Sequence, residues 1–168
     1  MTTRLRVLLV ALFVCLVGPL VPSSALAQSG APPWAACGRT DPESKPVKTY
    51  PVQPPVSGPS RTYAVLMCGN RAFGQRHIAN EHGKQWSDLA VYTGGPWQGL
   101  ADFAIRQTLT IPQPGYPRFN PERNTWTYKS PLQIKDQEGQ VRVTYWVVVG
   151  VAAQDGKLLT SFYSRDPR

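Results

Sequence analysis

The sequence predicts an α+β domain, with N-terminal helices packed on a twisted antiparallel sheet of roughly four strands. Three observations predict this class. Residues 97–109 carry an amphipathic helical pattern, and strand-forming segments fill most of the chain after residue 124. In addition, the pair Asp155-Gly156 is a strong turn signal for a two-residue β-hairpin. Helices ahead of a run of adjacent strands are typical of an antiparallel α+β domain.

The first 27 residues have the three parts of a secretory signal peptide. Arg4 and Arg6 precede an apolar run over residues 7–20, and a small-x-small sequence ends at Ala27. The run is broken by Gly18-Pro19 and is short for a membrane span, so a retained membrane anchor is the weaker alternative. We therefore expect cleavage after Ala27, a secreted, extracytoplasmic protein, and no stable membrane insertion after cleavage.

Residues 28–60 contain eight prolines and read as an extended linker, because proline fixes φ and disfavours helix at the preceding residue. The candidate folded domain then spans residues 61–168. Cleavage would also remove Cys15 and leave Cys37 and Cys68 as an even pair. Outside the cytosol such a pair predicts one disulfide, with two free thiols as the alternative.

Two segments of the candidate domain carry helical patterns. Residues 73–82 contain no proline and place Phe73, His77 and Ile78 at near-helical spacing, with Gly83 as a plausible stop. Residues 97–109 give the clearest helix, because the apolar side chains fall on one stripe and the polar side chains lie opposite. That stripe consists of Trp97, Leu100, Ala101, Ala104, Ile105 and Leu109.

The remaining segments favour strands. Residues 62–68 form a short apolar run, which periodicity alone leaves open as a strand or an entry segment. Residues 124–129 and 132–135 are rich in threonine, aromatic and branched residues, which favour strands. Residues 141–151 begin with strict alternation and become continuously apolar, and residues 158–163 return as the last strand after the Asp155-Gly156 turn.

The sequence lacks the motifs of several classes of functional site. It lacks the Gly-x-Gly-x-x-Gly and Gly-x-x-x-x-Gly-Lys motifs of dinucleotide and P-loop sites, and its cysteines form no Cys-x-x-Cys pair. We therefore expect no cofactor and no metal site. The formal net charge of +8 suits a polyanionic partner, but it also suits simple solubility.

The two histidines of the chain, His77 and His82, lie in one short segment. Metal-independent RNA cleavage needs a base, an acid and a cation, and histidine can exchange protons near neutral pH. In an α-helix the spacing i, i+5 turns about 140° further around the axis, so the rings need not converge. The alternative is a structural role, with His77 hydrogen-bonded locally and His82 facing water.

Basic and hydroxyl side chains on the predicted sheet are the second candidate element. Lys129 lies at the end of one strand, and Thr160 and Ser161 lie on the last strand. On one sheet face such groups could hold a phosphate. Threonine is also an ordinary strand residue, and scattered lysine is usually solvated, so each residue has a plain structural alternative.

The segment Phe73-Gly-Gln-Arg-His-Ile-Ala-Asn-Glu-His82, followed by a helix and a closing strand Gly-Lys-Leu-Leu-Thr160-Ser-Phe, resembles secreted bacterial toxin domains. These belong to the RNase superfamily of barnase, EndoU, the tRNase colicins and RelE, which includes contact-dependent inhibition toxins. The resemblance covers roughly residues 67–165. It implies an active site on the open sheet face, with His77 as the principal acid/base and His82 as the second proton-transfer or ring-orienting group. Thr160 with Ser161 would contact the phosphate, Arg76 would bind phosphate or brace the fold, and Lys129 has no clear counterpart.

The resulting hypothesis is a secreted, metal-independent endoribonuclease that cleaves RNA, tRNA included, by attack of the 2′-OH. A cognate immunity or inhibitor protein is a candidate partner. The alternative is a non-catalytic secreted binding domain of the same fold, which would use a basic face to bind a protein partner or the cell envelope. Because a pure binding domain has no need for both histidines in one motif, their pairing favours the enzyme.

Overall fold

The computed structural model describes residues 33–56 and 61–166, so the predicted signal peptide lies outside the described residues. Two strands come first, β1 (Pro46–Pro51) and β2 (Tyr63–Met67). Four helical segments follow: α1 (Gly74–His77), a π-helical turn (Ile78–His82), α2 (Gly83–Ala90) and α3 (Trp97–Thr110). The chain ends with β3 (Arg118–Asn120), β4 (Thr125–Lys135), β5 (Val141–Ala152) and β6 (Leu158–Ser164).

Strands β3 to β6 form an antiparallel sheet in sequence order, whose two faces differ. One face is buried and includes Trp126, Val149 and Leu158. The opposite face, here called the open face, consists of half-buried residues that alternate with them: Thr127 on β4, Val148 and Gly150 on β5, and Thr160 and Phe162 on β6. Strand alternation therefore separates the core from a surface that can meet a ligand.

The predicted architecture is wrong. The helices lie in the middle of the chain rather than at its N-terminus, and β1 pairs antiparallel with β2 in a second, two-stranded sheet. Strands also contribute more residues than helices do. The proline content of residues 28–60 predicts no strand there, but β1 forms within this stretch. Pro46 and Pro51 stand at the two ends of β1, where the missing N–H groups are tolerated.

Part of the stretch predicted as a linker belongs to the core. Trp34 and Tyr50 are buried, and the Trp34 indole N–H lies 2.7 Å from the Tyr50 hydroxyl oxygen. The Tyr50 hydroxyl in turn donates to the Asp102 carboxylate at 2.8 Å, and Lys48 pairs with the same carboxylate at 2.7 Å. The N-terminal segment is thus tied to α3 by a buried polar network. Since each buried polar group needs a partner, this network fixes where the segment docks.

The helix predicted over residues 97–109 is confirmed as α3, which buries Leu100, Ala101, Ala104, Ile105 and Leu109. The predicted strands after the turn at Asp155-Gly156 and over residues 141–151 are confirmed as β6 and β5. Asp102 departs from the helix pattern, because it lies on the predicted polar side but is buried with the N-terminal network.

The predicted disulfide is present: Cys37 and Cys68 are bonded, with their Cα atoms 5.5 Å apart. Arg76 reinforces the same junction, because its guanidinium donates to the carbonyls of Gly38, Asp41 and Gly69 at 2.6–2.8 Å. The bridge and the arginine together hold the N-terminal segment against the loop that leads into α1. In the described part of the chain, none of the helices has the length and apolar character needed to cross a bilayer.

Candidate active site

Helix α2 docks on the free edge of β6 and places the histidine segment beside the open face. Trp86 is fully buried and donates its indole N–H to the Ser161 carbonyl at 3.1 Å. The Gln85 side-chain amide donates to the Tyr163 carbonyl at 2.6 Å, and the Tyr163 hydroxyl donates to the Gln85 carbonyl at 2.9 Å. These contacts cover backbone groups that an edge strand otherwise leaves exposed.

The π-helical turn Ile78–His82 brings the two histidines together. In a π-helix the hydrogen bond joins residues i and i+5, so residues five apart lie near one another, and such turns are frequent at functional sites. The His77 and His82 ring centroids are 5.3 Å apart and the rings are nearly perpendicular, at 84°. The divergence expected of an α-helix therefore does not occur at this spacing.

His77 is held by a hydrogen bond at each ring nitrogen. Its Nδ1 lies 2.7 Å from the Arg71 carbonyl oxygen, and its Nε2 lies 3.1 Å from the Thr160 hydroxyl oxygen. A carbonyl can only accept, so Nδ1 carries a proton and Nε2 has the lone pair in the neutral ring. The Thr160 hydroxyl donates to that lone pair, and it can accept instead when the ring is protonated. Both protonation states of His77 therefore keep the same contacts.

His82 is half-buried and packs against the last strand. Its ring centroid lies 5.2 Å from that of Phe162, with the planes 30° apart. Burial lowers the pKa of His82 below its usual 6.5, and the neighbouring His77 lowers this pKa further, while Glu81 raises it. The pKa shift favours a neutral His82 near pH 7.

Three of the six predicted site residues converge, namely His77, His82 and Thr160. Ser161 does not join them, because it lies on the core side of β6 with its side chain fully buried and its hydroxyl without a partner. Strand alternation puts neighbours on opposite faces, so Thr160 and Ser161 cannot both reach one ligand. This signal was already available in the sequence.

The contacts that the structure shows for Arg76 and Lys129 are with groups other than the two histidine rings. Arg76 directs its guanidinium at three backbone carbonyls, which matches the brace rather than the phosphate contact. Lys129 is 3% exposed on β4, with its Nζ 3.4 Å from the Asp166 carbonyl oxygen and 5.9 Å from the centre of the Trp146 ring. Lys129 pairs with Val148 on β5, which in turn pairs with Phe162 on β6. Strand β5 therefore lies between Lys129 and β6.

Two further parts of this site are not among the residues predicted as site residues. The Arg71 carbonyl that holds His77 belongs to the backbone, which residue patterns do not report. Phe162 lies on the same face as Thr160, two residues along, and this relation follows from strand alternation once β6 is known.

Two curated relatives share sequence with this chain: the uncharacterized proteins Rv0739 and MT0764 of Mycobacterium tuberculosis, from strains H37Rv and CDC 1551. Each is 34% identical over 137 residues, which cover 77% of this chain and 48% of the relative. The chain therefore spans about half the length of the curated relatives it matches. No family model matches the chain, and no solved structure matches it significantly.

Proposed function

We propose that the protein is an exported endoribonuclease that cleaves RNA without a metal ion, through His77, His82 and Thr160. One observation carries the proposal: the π-helical turn sets the two imidazoles 5.3 Å apart, and His77 Nε2 lies 3.1 Å from Thr160 Oγ1 on the open face. A purely structural pair of histidines does not require a hydroxyl directed at the ring nitrogen from a separate strand.

In this proposal His82 is the general base. The lowered pKa keeps the imidazole neutral near pH 7, so its lone pair is available to take the proton of the substrate 2′-OH. The 2′-oxygen then bonds to the adjacent phosphorus. Contact with Phe162 restricts rotation of the His82 ring, which reduces the conformational freedom lost on reaching the reactive geometry.

His77 is the general acid. When protonated, it donates Nδ1–H to the Arg71 carbonyl and presents Nε2–H toward the open face. Transfer of that proton to the 5′-oxygen accompanies cleavage of the P–O5′ bond and leaves a 2′,3′-cyclic phosphate. The Thr160 hydroxyl contacts a non-bridging phosphate oxygen, and the imidazolium charge stabilises the phosphorane. His82 gains one proton and His77 loses one, so the step is balanced.

Export completes the proposal. The N-terminal residues have the pattern of a signal peptide, and a disulfide suits an oxidising compartment. An RNase that becomes active outside the cytoplasm spares the RNA of the cell that makes it.

The test is cleavage of total RNA and tRNA by the purified protein in EDTA, with the product ends mapped. We expect 2′,3′-cyclic phosphate ends, and His77→Gln and His82→Gln each to slow cleavage by about 100- to 10,000-fold. Thr160→Val should also slow cleavage. The matched control is Ser161→Ala, the neighbouring hydroxyl on the opposite face, which should leave the rate unchanged. Intact RNA between about pH 5 and 8, from protein shown to be folded, would reject the enzyme and favour a binding domain.

A further inference from the structure

A cleft of about 270 Å³ opens on the open face, beginning at Thr160. Its lining includes Thr160 and Phe162 of β6, Gly150 of β5, Thr127 of β4, and Arg123 from the turn before β4. Thr160 contacts His77 and Phe162 contacts His82, so the cleft adjoins the histidine pair. Apart from Thr160 and Phe162, the residues that line this cleft have no part in the proposed proton transfer.

The floor of the cleft is a row of three residues across the sheet. Gly150 pairs with Thr160 on one side and with Thr127 on the other. Adjacent strands lie about 4.8 Å apart, so the two threonines stand roughly 10 Å from each other. A Cβ at Gly150 would lie only 3.3 Å from Thr160 Cγ2, so the glycine lowers the floor between two hydroxyl-bearing side chains.

One wall of the cleft is aromatic and the far end is cationic. Phe162 pairs with Val148, and these two side chains give the cleft an apolar side. Unstacked bases bind by stacking on aromatic side chains and by hydrogen bonds to their edges. Arg123 is exposed and is the one charged residue among those that line the cleft. Its guanidinium suits a phosphate, which it can bind through two parallel hydrogen bonds.

We propose that this cleft binds the nucleotide next to the scissile phosphate, and that it sets base preference. The base lies above Gly150 against Phe162, the Thr127 hydroxyl contacts the base edge, and Arg123 binds the following phosphate. A volume of about 270 Å³ lies just under the usual range for small-molecule pockets and matches a single base rather than a protein surface. This inference rests on the proposed function, since the scissile phosphate is placed by His77 and Thr160.

The test uses the full protein and two variants of the cleft, Arg123→Gln and Thr127→Val. Neither residue belongs to the proton-transfer group, and valine keeps the shape of threonine while it removes the hydroxyl. The matched control is Arg142→Gln. Arg142 has a side chain 70% exposed near the start of β5, and Gly150 lies eight positions further along, roughly 26 Å away along the strand. The Arg142→Gln substitution therefore removes one positive charge, as Arg123→Gln does, but far from the cleft.

Two readouts separate this inference from the proposed function. Binding is measured by fluorescence anisotropy with a labelled 2′-O-methyl oligoribonucleotide, which lacks the attacking hydroxyl and cannot be cleaved. Cleavage is measured on oligoribonucleotides that differ only in the bases beside the cut. We expect Arg123→Gln to weaken binding about tenfold and Arg142→Gln to leave it within twofold. Thr127→Val should reduce the preference among bases.

The outcomes are distinct. If both cleft variants bind the probe as tightly as the wild-type protein and keep its base preference, the nucleotide subsite is overturned, even if the wild-type protein cleaves RNA. An equal loss for Arg123→Gln and Arg142→Gln would also overturn it, because binding would then follow net charge alone. If no RNA is cleaved but the 2′-O-methyl probe still binds in an Arg123-dependent manner, the subsite is supported and the proposed catalysis fails.

Discussion

Loss of the Cys37–Cys68 disulfide should lower the free energy of unfolding by about 3–4 kcal/mol. The two cysteines are 31 residues apart, and the estimate follows from the chain entropy that a loop of this length regains when the unfolded chain is no longer cross-linked. For a domain of this size the same loss should lower Tm by roughly 10–15 °C. The native fold should persist, because Arg76 still holds the carbonyls of Gly38 and Asp41.

The assay is urea unfolding, followed by tryptophan fluorescence and by circular dichroism, of the oxidised protein, the reduced protein and the double variant Cys37→Ala/Cys68→Ala. Cys68 is fully buried, so alanine there adds a small packing loss of its own. The reduced wild-type protein is therefore the cleaner comparison. A shift of less than about 1 kcal/mol between the oxidised and reduced forms would refute the loop-entropy argument.

The same comparison bears on activity. The N-terminal segment holds the loop after β2, because Cys68 and Gly69 donate their N–H groups to the carbonyls of Lys45 and Glu43, each at 2.9 Å. That loop carries the Arg71 carbonyl that holds His77 Nδ1. We expect reduced protein that is still folded to cleave RNA more slowly than oxidised protein. Equal rates would mean that the loop is held in place without the bridge.

Because the pKa of His82 is lowered, the cleavage rate should rise with pH, with a midpoint below 6.5. The free energy of unfolding should fall as pH drops through the same range, since the unfolded chain binds the proton more readily than the folded protein does. His82→Gln should flatten that fall in urea titrations at several pH values. Arg76→Met removes three hydrogen bonds to backbone carbonyls and should lower the free energy of unfolding in urea by about 2–4 kcal/mol. A rise in KM for RNA without that loss of stability would instead identify a phosphate contact. Gly69→Ala should destabilise the protein by more than about 2 kcal/mol in the same assay. Gly69 has φ +63, and the added Cβ of alanine would lie 1.9 Å from the Phe73 carbonyl oxygen. An unchanged unfolding midpoint would show that the loop can move aside.

The helix α3, the strands β5 and β6, and the disulfide could all be predicted from the sequence. Each depends on information that lies within one element or on simple pair chemistry: the 3.6-residue apolar stripe, the alternation along residues 141–147, and an even pair of cysteines behind an export signal. The sequence predicts His77, His82 and Thr160 as site residues partly because imidazole and hydroxyl groups can do this chemistry, and partly through the toxin-domain resemblance, which assigns their roles.

The tertiary structure decided what those residues do together. Strand β1 forms because β2 offers a partner, and local proline content cannot report a partner that lies further along the chain. Trp86 and Gln85 anchor α2 to the edge of β6 beside the π-helical turn that joins His77 to His82, whereas an isolated α-helix would hold the rings apart. Sequence periodicity reports neighbours within a turn or two of the chain. Contacts between separate elements, which place Thr160 against His77, depend on how those elements pack.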